Sequence, residues 1–204
     1  MPRVSEIRPA APGDAPALRT VCALAYQDNP LMRWALPDAR TRQDACAAWL
    51  GPALDRYVVT GRVDVLEVDG DVVALAAWRV PGRDVAGGPV AASLPTPAGV
   101  LGALVGPVRA AEVLDALRGT VRLAPAAAGP YLNYLAVHPS HQGRGLGGEL
   151  LAHGRAGLST VHGTVWLATS DPRNVRFYAR HGFAHAGSHP LPPDGPTLTV
   201  LHAG

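Results

Sequence analysis

Apolar and polar positions alternate over Val4–Arg8, which predicts a short edge strand stopped by Pro9. Asp14–Gln27 instead places Leu18, Val21, Cys22 and Ala25 at helical spacing, with Asp14 as the cap and the turn Asp28-Asn29-Pro30 after it. Residues 38–59 repeat a helical pattern through Ala45, Ala48, Trp49 and Leu54, and Gly51-Pro52 predicts a kink or break in it. Two Val-rich runs, Arg62–Val68 and Val72–Val80, flank Asp69-Gly70-Asp71 and read as a hairpin. A Pro/Gly/Ala-rich insert fills residues 81–128 and is helical at least over Ala110–Leu117. After it the pattern runs strand (Tyr131–Val137), helix (Gly145–Gly157), strand (Thr164–Ala168) and helix (Asn174–His181, ended by Gly182). Two closing strands, Phe183–Gly187 and Thr197–His202, complete the chain. Strands separated by helices, with hairpins near both ends and no internal repeat, predict one α/β domain over residues 1–204 built on a mixed sheet.

Composition narrows what this fold can do. A chain of 204 residues, 48% apolar and 17% charged, buries a sizeable core. All 18 basic residues are arginine, which excludes Schiff-base and pyridoxal-phosphate chemistry and the lysine-containing phosphate loop. A net charge of +2 does not suit a duplex nucleic-acid binder. The charge is uneven: residues 129–204 hold five arginines against Glu149, Asp171 and Asp194, together with all eight histidines. That balance suits a phosphorylated small ligand. Val85–Val108 is uncharged and long enough to span a bilayer, but its prolines and glycines exclude a membrane helix, and Met1–Ala10 lacks the apolar centre of a signal peptide. Cys22 and Cys46 read as reduced, buried residues of an intracellular, cytoplasmic protein.

The most informative segment is Tyr131–Leu151, a strand, a short loop, the cluster Gln142-Gly-Arg-Gly-Leu-Gly-Gly148, and a helix. Glycines admit close backbone approach, and a helix start adds its positive dipole end, so the expected ligand is an anion such as a pyrophosphate. Gly143-x-Gly145-x-x-Gly148 also fits a dinucleotide fingerprint. Against that reading, His138–Gln142 separate the strand from the first glycine, and only 33 residues follow Asp171.

Gln142-Gly-Arg-Gly145-Leu-Gly147, set behind a Val137-His138-Pro139 turn, resembles the coenzyme A loop of the GNAT superfamily of N-acetyltransferases. A second segment, Asn174-Val-Arg-Phe177-Tyr178-Ala-Arg-His-Gly182-Phe183, is similar to another motif of that superfamily at the expected spacing. The likeness extends over nearly the whole chain and is strongest toward the puromycin N-acetyltransferase group of actinobacterial small-molecule enzymes, while the N-terminal half matches only loosely. It implies a mixed, mostly antiparallel sheet flanked by helices, with the helical insert between the third and fourth strands. It also implies acetyl-CoA as co-substrate and a small-molecule amine as acceptor.

By the same resemblance, backbone groups of Leu135, Ala136 and Val137 would pair with the pantetheine arm. Amides from Gly143 to Gly148, including those of Arg144, Leu146 and Gly147, would cradle the pyrophosphate beside Gln142, with Arg144 adding charge. Asn174 has two open readings, a bond to the pantetheine or a helix cap. A strand-four amide near Leu135 would polarise the thioester carbonyl, and Tyr178 would be the general acid, with a phenol of unperturbed pKa about 10. A carboxylate base is expected on the fourth strand of many relatives, but Tyr131 and Asn133 stand there, so a water relay, a backbone carbonyl, a neutral acceptor amine or Asp28 remains.

Asn29, Trp34, Tyr131 and Asn133 are the candidate acceptor-pocket residues, covered by apolar residues of the 85–108 insert. Trp34 has ordinary core packing as its competing role. His181, His185 and His189 are spaced by four, but Gly182 ends the helix between the first two, so no metal is expected. The expected partner is a small amine, with no nucleic acid and no membrane, and the chain a monomer or homodimer. Two other functions stay open: a protein or peptide N-acetyltransferase, and a non-catalytic acyl-CoA-binding regulatory module.

Overall fold

The computed structural model describes residues 5–83, 88–192 and 194–203. Seven strands form one sheet in the order β1-β2-β3-β4-β5-β7-β6: β1 (Ser5–Pro9), β2 (Arg62–Val68), β3 (Asp71–Arg79), β4 (Ala128–Val137), β5 (Thr164–Thr169), β6 (Ala184–Pro190) and β7 (Thr197–Ala203). Every neighbouring pair is antiparallel except β4 and β5. The sheet is therefore mixed and mostly antiparallel, as expected. Val4, the first residue of the anticipated edge strand, lies outside the described residues, as do residues 84–87 of the insert.

Among the described residues eight α-helices accompany the sheet: α1 (Ala15–Tyr26), α2 (Pro30–Ala35), α3 (Arg42–Thr60), α4 (Gly88–Ser93), α5 (Pro97–Val105), α6 (Pro107–Arg118), α7 (Leu146–Gly157) and α8 (Pro172–Arg180). Proline opens α2, α5, α6 and α8, where its missing N–H has no intrahelical partner to lose. Asn29, Thr96 and Asp171 cap three of these starts, each accepting a backbone N–H two or three residues on. Asp14 differs. It stands at the α1 cap position, but its carboxylate binds Arg8 and the Ala11 amide, and that pairing lowers its pKa.

The break anticipated at Gly51-Pro52 does not occur, and α3 runs through Pro52. One face of α3 buries Trp49, Leu50, Leu54 and Tyr57, so tertiary packing outweighs one lost helical hydrogen bond. Buried Arg56, one turn on, donates to the carbonyls of Pro52, Leu94 and Pro95 and ties α3 to the insert. Asp69 and Gly70 both have positive φ (55° and 91°), the backbone of a two-residue hairpin turn whose twist matches its strands. Phe183 falls outside β6. It is buried against Tyr178, and its N–H donates to the Tyr178 carbonyl.

Two cores flank the sheet. One packs α1, α3 and the insert helices on one face, with Leu18, Cys22, Cys46, Leu54 and Leu101 completely or almost completely buried. The other packs α7 and α8 on the opposite face around Trp78, Leu150, Leu151, Leu167 and Tyr178. Cys22 and Cys46 are free thiols whose pKa burial raises.

One irregularity places the site. Ala77 pairs with Tyr134 but Trp78 with Leu132, so Asn133 is an extra residue bulged out of β4. Pairing between β4 and β5 ends at Leu132 and Leu167. Beyond that point the two parallel strands diverge, and the edge of β4 over residues 133–137 faces an opening.

Candidate active site

The glycine loop leads from β4 into α7. Gln142 Nε2 donates to the Val137 carbonyl at 2.9 Å and turns the chain back toward the sheet. Gly143 (φ 76°) and Gly145 (φ 86°) take left-handed backbone, and a Cβ at either would meet open space. The amides of Gly143, Arg144, Gly145, Leu146 and Gly147 donate to no acceptor among the described residues. Five free N–H groups at the start of a 12-residue helix fit a pyrophosphate. The expected sixth, Gly148, is not free: its N–H donates to the Gly145 carbonyl at 2.9 Å as part of the first helical turn. Gly148 serves packing instead, since a Cβ there would come within 2.7 Å of the His181 ring.

Four of these five residues, Gly143, Gly145, Leu146 and Gly147, line a cavity of about 1040 Å³ that α8 closes through Asn174, Phe177, Tyr178 and Arg180. Arg144 does not face it. Its guanidinium donates to the Ser140 carbonyl at 3.1 Å on the exposed side of the loop. The cations that line the cavity are Arg173 and Arg180. Asp171 holds Arg173 at 2.7 Å, and this hydrogen bond keeps the Asp171 carboxyl below its ordinary pKa.

The open edge of β4 presents Leu135. Its N–H donates to the Tyr26 hydroxyl, and its carbonyl accepts from that hydroxyl, both at 3.1 Å. The strand amide expected to polarise a thioester is thus held by a side chain from α1. Backbone groups alternate along a strand, so those of Val137 share this open edge, whereas those of Ala136 point to β3, where Ala136 pairs with Leu75. Ala136 is therefore removed from the strand-pairing set, which reduces to Leu135 and Val137.

A second cavity of about 380 Å³ lies on the α1/α3 side, and the two share Tyr26, Asn29, Leu135, Asn174 and Tyr178. Asn29 Oδ1 caps α2 through the Leu31 N–H at 2.9 Å and accepts from Ser170 Oγ at 2.6 Å, locking the α1–α2 turn to the end of β5. Asp171, not Asn174, caps α8. Asn174 is left facing both cavities, with Nδ2 3.5 Å from Thr169 Oγ1.

Tyr131 and Asn133, candidates for the acceptor pocket, line the smaller cavity. Tyr131 packs on Trp166, with ring centroids 4.4 Å apart and planes tilted by 53°. Trp34 does not line it. Its ring lies under the Arg109 guanidinium (4.4 Å) and packs against Leu191 and Leu198, so it fastens the insert to the C-terminal hairpin. The insert covers the cavity mainly through Leu114, Leu117, Thr120 and Val121, and of the described residues within 85–108 only Pro97 lines it. Asp28 lies in the larger cavity, and no Asp or Glu lines the smaller one among the described residues.

Tyr178 stands where the cavities meet. Its ring packs on Phe177 and Phe183, and its hydroxyl makes no hydrogen bond to the described protein. Burial raises its pKa well above the ordinary phenol value, which corrects the expectation of an unperturbed group. The sequence left Tyr26, Ser170, Arg173, Arg180 and Arg79 unassigned. Tyr26 carries the only detectable signal, a tyrosine closing an amphipathic helix just before a cap-and-proline turn.

His181, His185 and His189 take separate partners: the Phe177 ring, Ser188 Oγ and the Ala116 carbonyl. Among the described residues no three His, Cys, Asp or Glu side chains gather as a metal site, and no helix is long and apolar enough to cross a membrane.

The seven-stranded sheet split between β4 and β5 is the GNAT fold, and residues 107–185 match the acetyltransferase (GNAT) domain family. Over residues 107–185 the chain is thus similar to GNAT acetyltransferase domains. It is similar to the structure named histone acetyltransferase HPA2 and related acetyltransferase from Corynebacterium glutamicum, at 24% identity over 97% of this chain and 94% of that one (TM-score 0.71). The C-terminal condensation domain of Ebony, in complex with beta-alanyl-dopamine, is 10% identical over 98% of each chain (TM-score 0.66). The PaiA N-acetyltransferase of Thermoplasma acidophilum, in complex with coenzyme A, is also 10% identical over 98% of each chain (TM-score 0.57).

Proposed function

We propose that the protein is an acetyl-CoA-dependent N-acetyltransferase that moves the acetyl group directly to the amine of a small molecule, such as an antibiotic or another natural product. The observation that carries this reading is the meeting of two unlike cavities at Tyr178 and Leu135, one rimmed by free amides and the other lined by aromatic and apolar side chains with a few polar ones among them. The five loop amides hold the pyrophosphate, with Arg173 and Arg180 beside it. Leu135 and Val137 pair with the pantetheine, and Asn174 orients it from α8.

The acceptor nitrogen attacks the thioester carbonyl carbon, the C–N bond forms, and the C–S bond breaks. Tyr178 donates its phenolic proton to the departing sulfur and recovers one from water. With no carboxylate among the described residues lining the smaller cavity, the amine arrives neutral and gives its surplus proton to water after attack. The folding of the insert over this cavity favours a small acceptor over a peptide laid in a groove. The Ebony domain, with its beta-alanyl-dopamine, offers a parallel of similar fold.

Thiol release from acetyl-CoA, measured across a panel of amines that includes puromycin and lysine peptides, tests the reading beside calorimetry with coenzyme A. Release with small amines is the expected result. Release with peptides alone makes the protein a peptide acetyltransferase, and tight coenzyme binding without release from any amine makes it a binding module.

A further inference from the structure

We propose that the acceptor amine also carries a carboxylate, held apart from the amine by an aromatic or branched apolar spacer, and that Arg79 receives that carboxylate. This rests on the acetyl-transfer reading and names its substrate class.

Arg79 ends β3 and lies opposite Tyr131 in the sheet. Its guanidinium sits 4.9 Å over the Tyr131 ring and lines the smaller cavity, where Tyr57 and Tyr131 feel its charge. Arg8, Arg19, Arg62, Arg109 and Arg173 each hold a carboxylate, whereas Arg79 pairs with none among the described residues. No acid among the described residues lines the cavity to compete for it. Thr120, nine-tenths buried on the insert side of the same cavity, has a hydroxyl without a hydrogen-bond partner. The cavity thus offers a planar cationic fork and an uncommitted hydroxyl, with Trp49, Tyr131, Tyr134 and Trp166 among its lining.

Spacing fixes the kind of molecule. Leu135, beside Tyr178 where the amine reacts, is four residues along β4 from Tyr131, and with Asn133 bulged out the span matches the three residues from Ala76 to Arg79 on β3, roughly 10 Å at ~3.3 Å per residue. The Arg79 side chain shortens this span by part of its own length. An amine and a carboxylate on one carbon are too close together to reach both ends, while a ring between them suits the distance.

The test compares 4-(aminomethyl)benzoate, its carboxamide and benzylamine as acceptors. In the wild-type protein the carboxylate should exceed the carboxamide in kcat/KM by about tenfold or more, the worth of a charge-assisted pair. Arg79→Gln should bring that ratio to about one while coenzyme A affinity, read by calorimetry, stays unchanged, and Arg79→Lys should restore part of the preference. A wild-type ratio near one, or a ratio that survives in Arg79→Gln, overturns the proposal. If coenzyme A binds but none of the three amines releases thiol, saturation-transfer NMR on the coenzyme-loaded protein reads the anion site alone. Binding of 4-(aminomethyl)benzoate that Arg79→Gln abolishes sustains the anion site even as acetyl transfer to these amines fails. No binding to the wild type overturns it.

Discussion

The Tyr26 hydroxyl satisfies both backbone polar groups of Leu135, two residues 109 apart in sequence. Where β4 and β5 part, the edge of β4 has lost its strand partner, and a half-buried edge needs another. Helix α1 supplies one. Any extended ligand that pairs with Leu135 must first displace this hydroxyl.

Tyr26→Phe removes the competitor and keeps the ring's packing on Tyr134. A net hydrogen bond is worth about 1 kcal/mol, so coenzyme A should bind roughly three- to tenfold more tightly to the variant. Calorimetry reads this directly. Weaker binding would mean that the hydroxyl stays and contacts the coenzyme.

Gly145→Val addresses the glycine loop. The left-handed backbone at φ 86° costs a branched residue about 1–2 kcal/mol, which a small drop in melting temperature would register. The new side chain would project into open space beside five free amides. Coenzyme A affinity should fall at least tenfold, on the order expected when several charge-assisted hydrogen bonds are blocked. Unchanged affinity would show that the loop does not hold the coenzyme.

What the sequence discloses follows the range of each interaction. Asp69-Gly70 marks its turn because only a few residue types accept positive φ, and the glycine loop is legible for the same reason. Asn29-Pro30 reads as a turn although it starts α2, because a cap followed by proline looks alike in a loop and at a helix start. Gly51-Pro52 misleads because the burial that keeps α3 whole comes from distant strands and the insert. In the candidate site, Gln142, Asn174 and Tyr178 are legible because each belongs to a local motif. Tyr26 and Arg79 reach the site only through sheet pairing and helix docking, which no local pattern encodes. Trp34 errs in the opposite direction: its position after the first helix points to the pocket, but Arg109, 75 residues on, draws it into the insert.

The tyrosines make a pH prediction. Burial raises the pKa of all five, Tyr57 to about 12 and Tyr26, Tyr131, Tyr134 and Tyr178 also upward. The unfolded chain releases phenolic protons near pH 10, before the folded chain does. Their contribution to stability is complete below about pH 10 and is lost as pH rises from there through the folded values. Tyrosinate absorbance and loss of near-ultraviolet dichroism should therefore rise together in one cooperative alkaline transition. Tyrosinate forming near pH 10 in a folded protein would contradict this burial.

Tyr178→Phe tests the proton donor. The phenol's raised pKa keeps it protonated at neutral pH but makes it a weaker acid than a free phenol, and a coenzyme thiol ionises at about 8–9 if it resembles cysteine. The mismatch favours a hydrogen bond to the leaving sulfur with late proton transfer, so the loss in kcat should sit near the lower end of general-acid effects, about 10²-fold. The phenylalanine ring retains the contacts with Phe177 and Phe183, and the hydroxyl has no partner in the described protein to lose. Melting temperature and coenzyme A affinity should therefore hardly move. Full turnover by the variant would remove Tyr178 from the chemistry. Loss of the fold along with activity would make it a packing residue between α8 and the sheet.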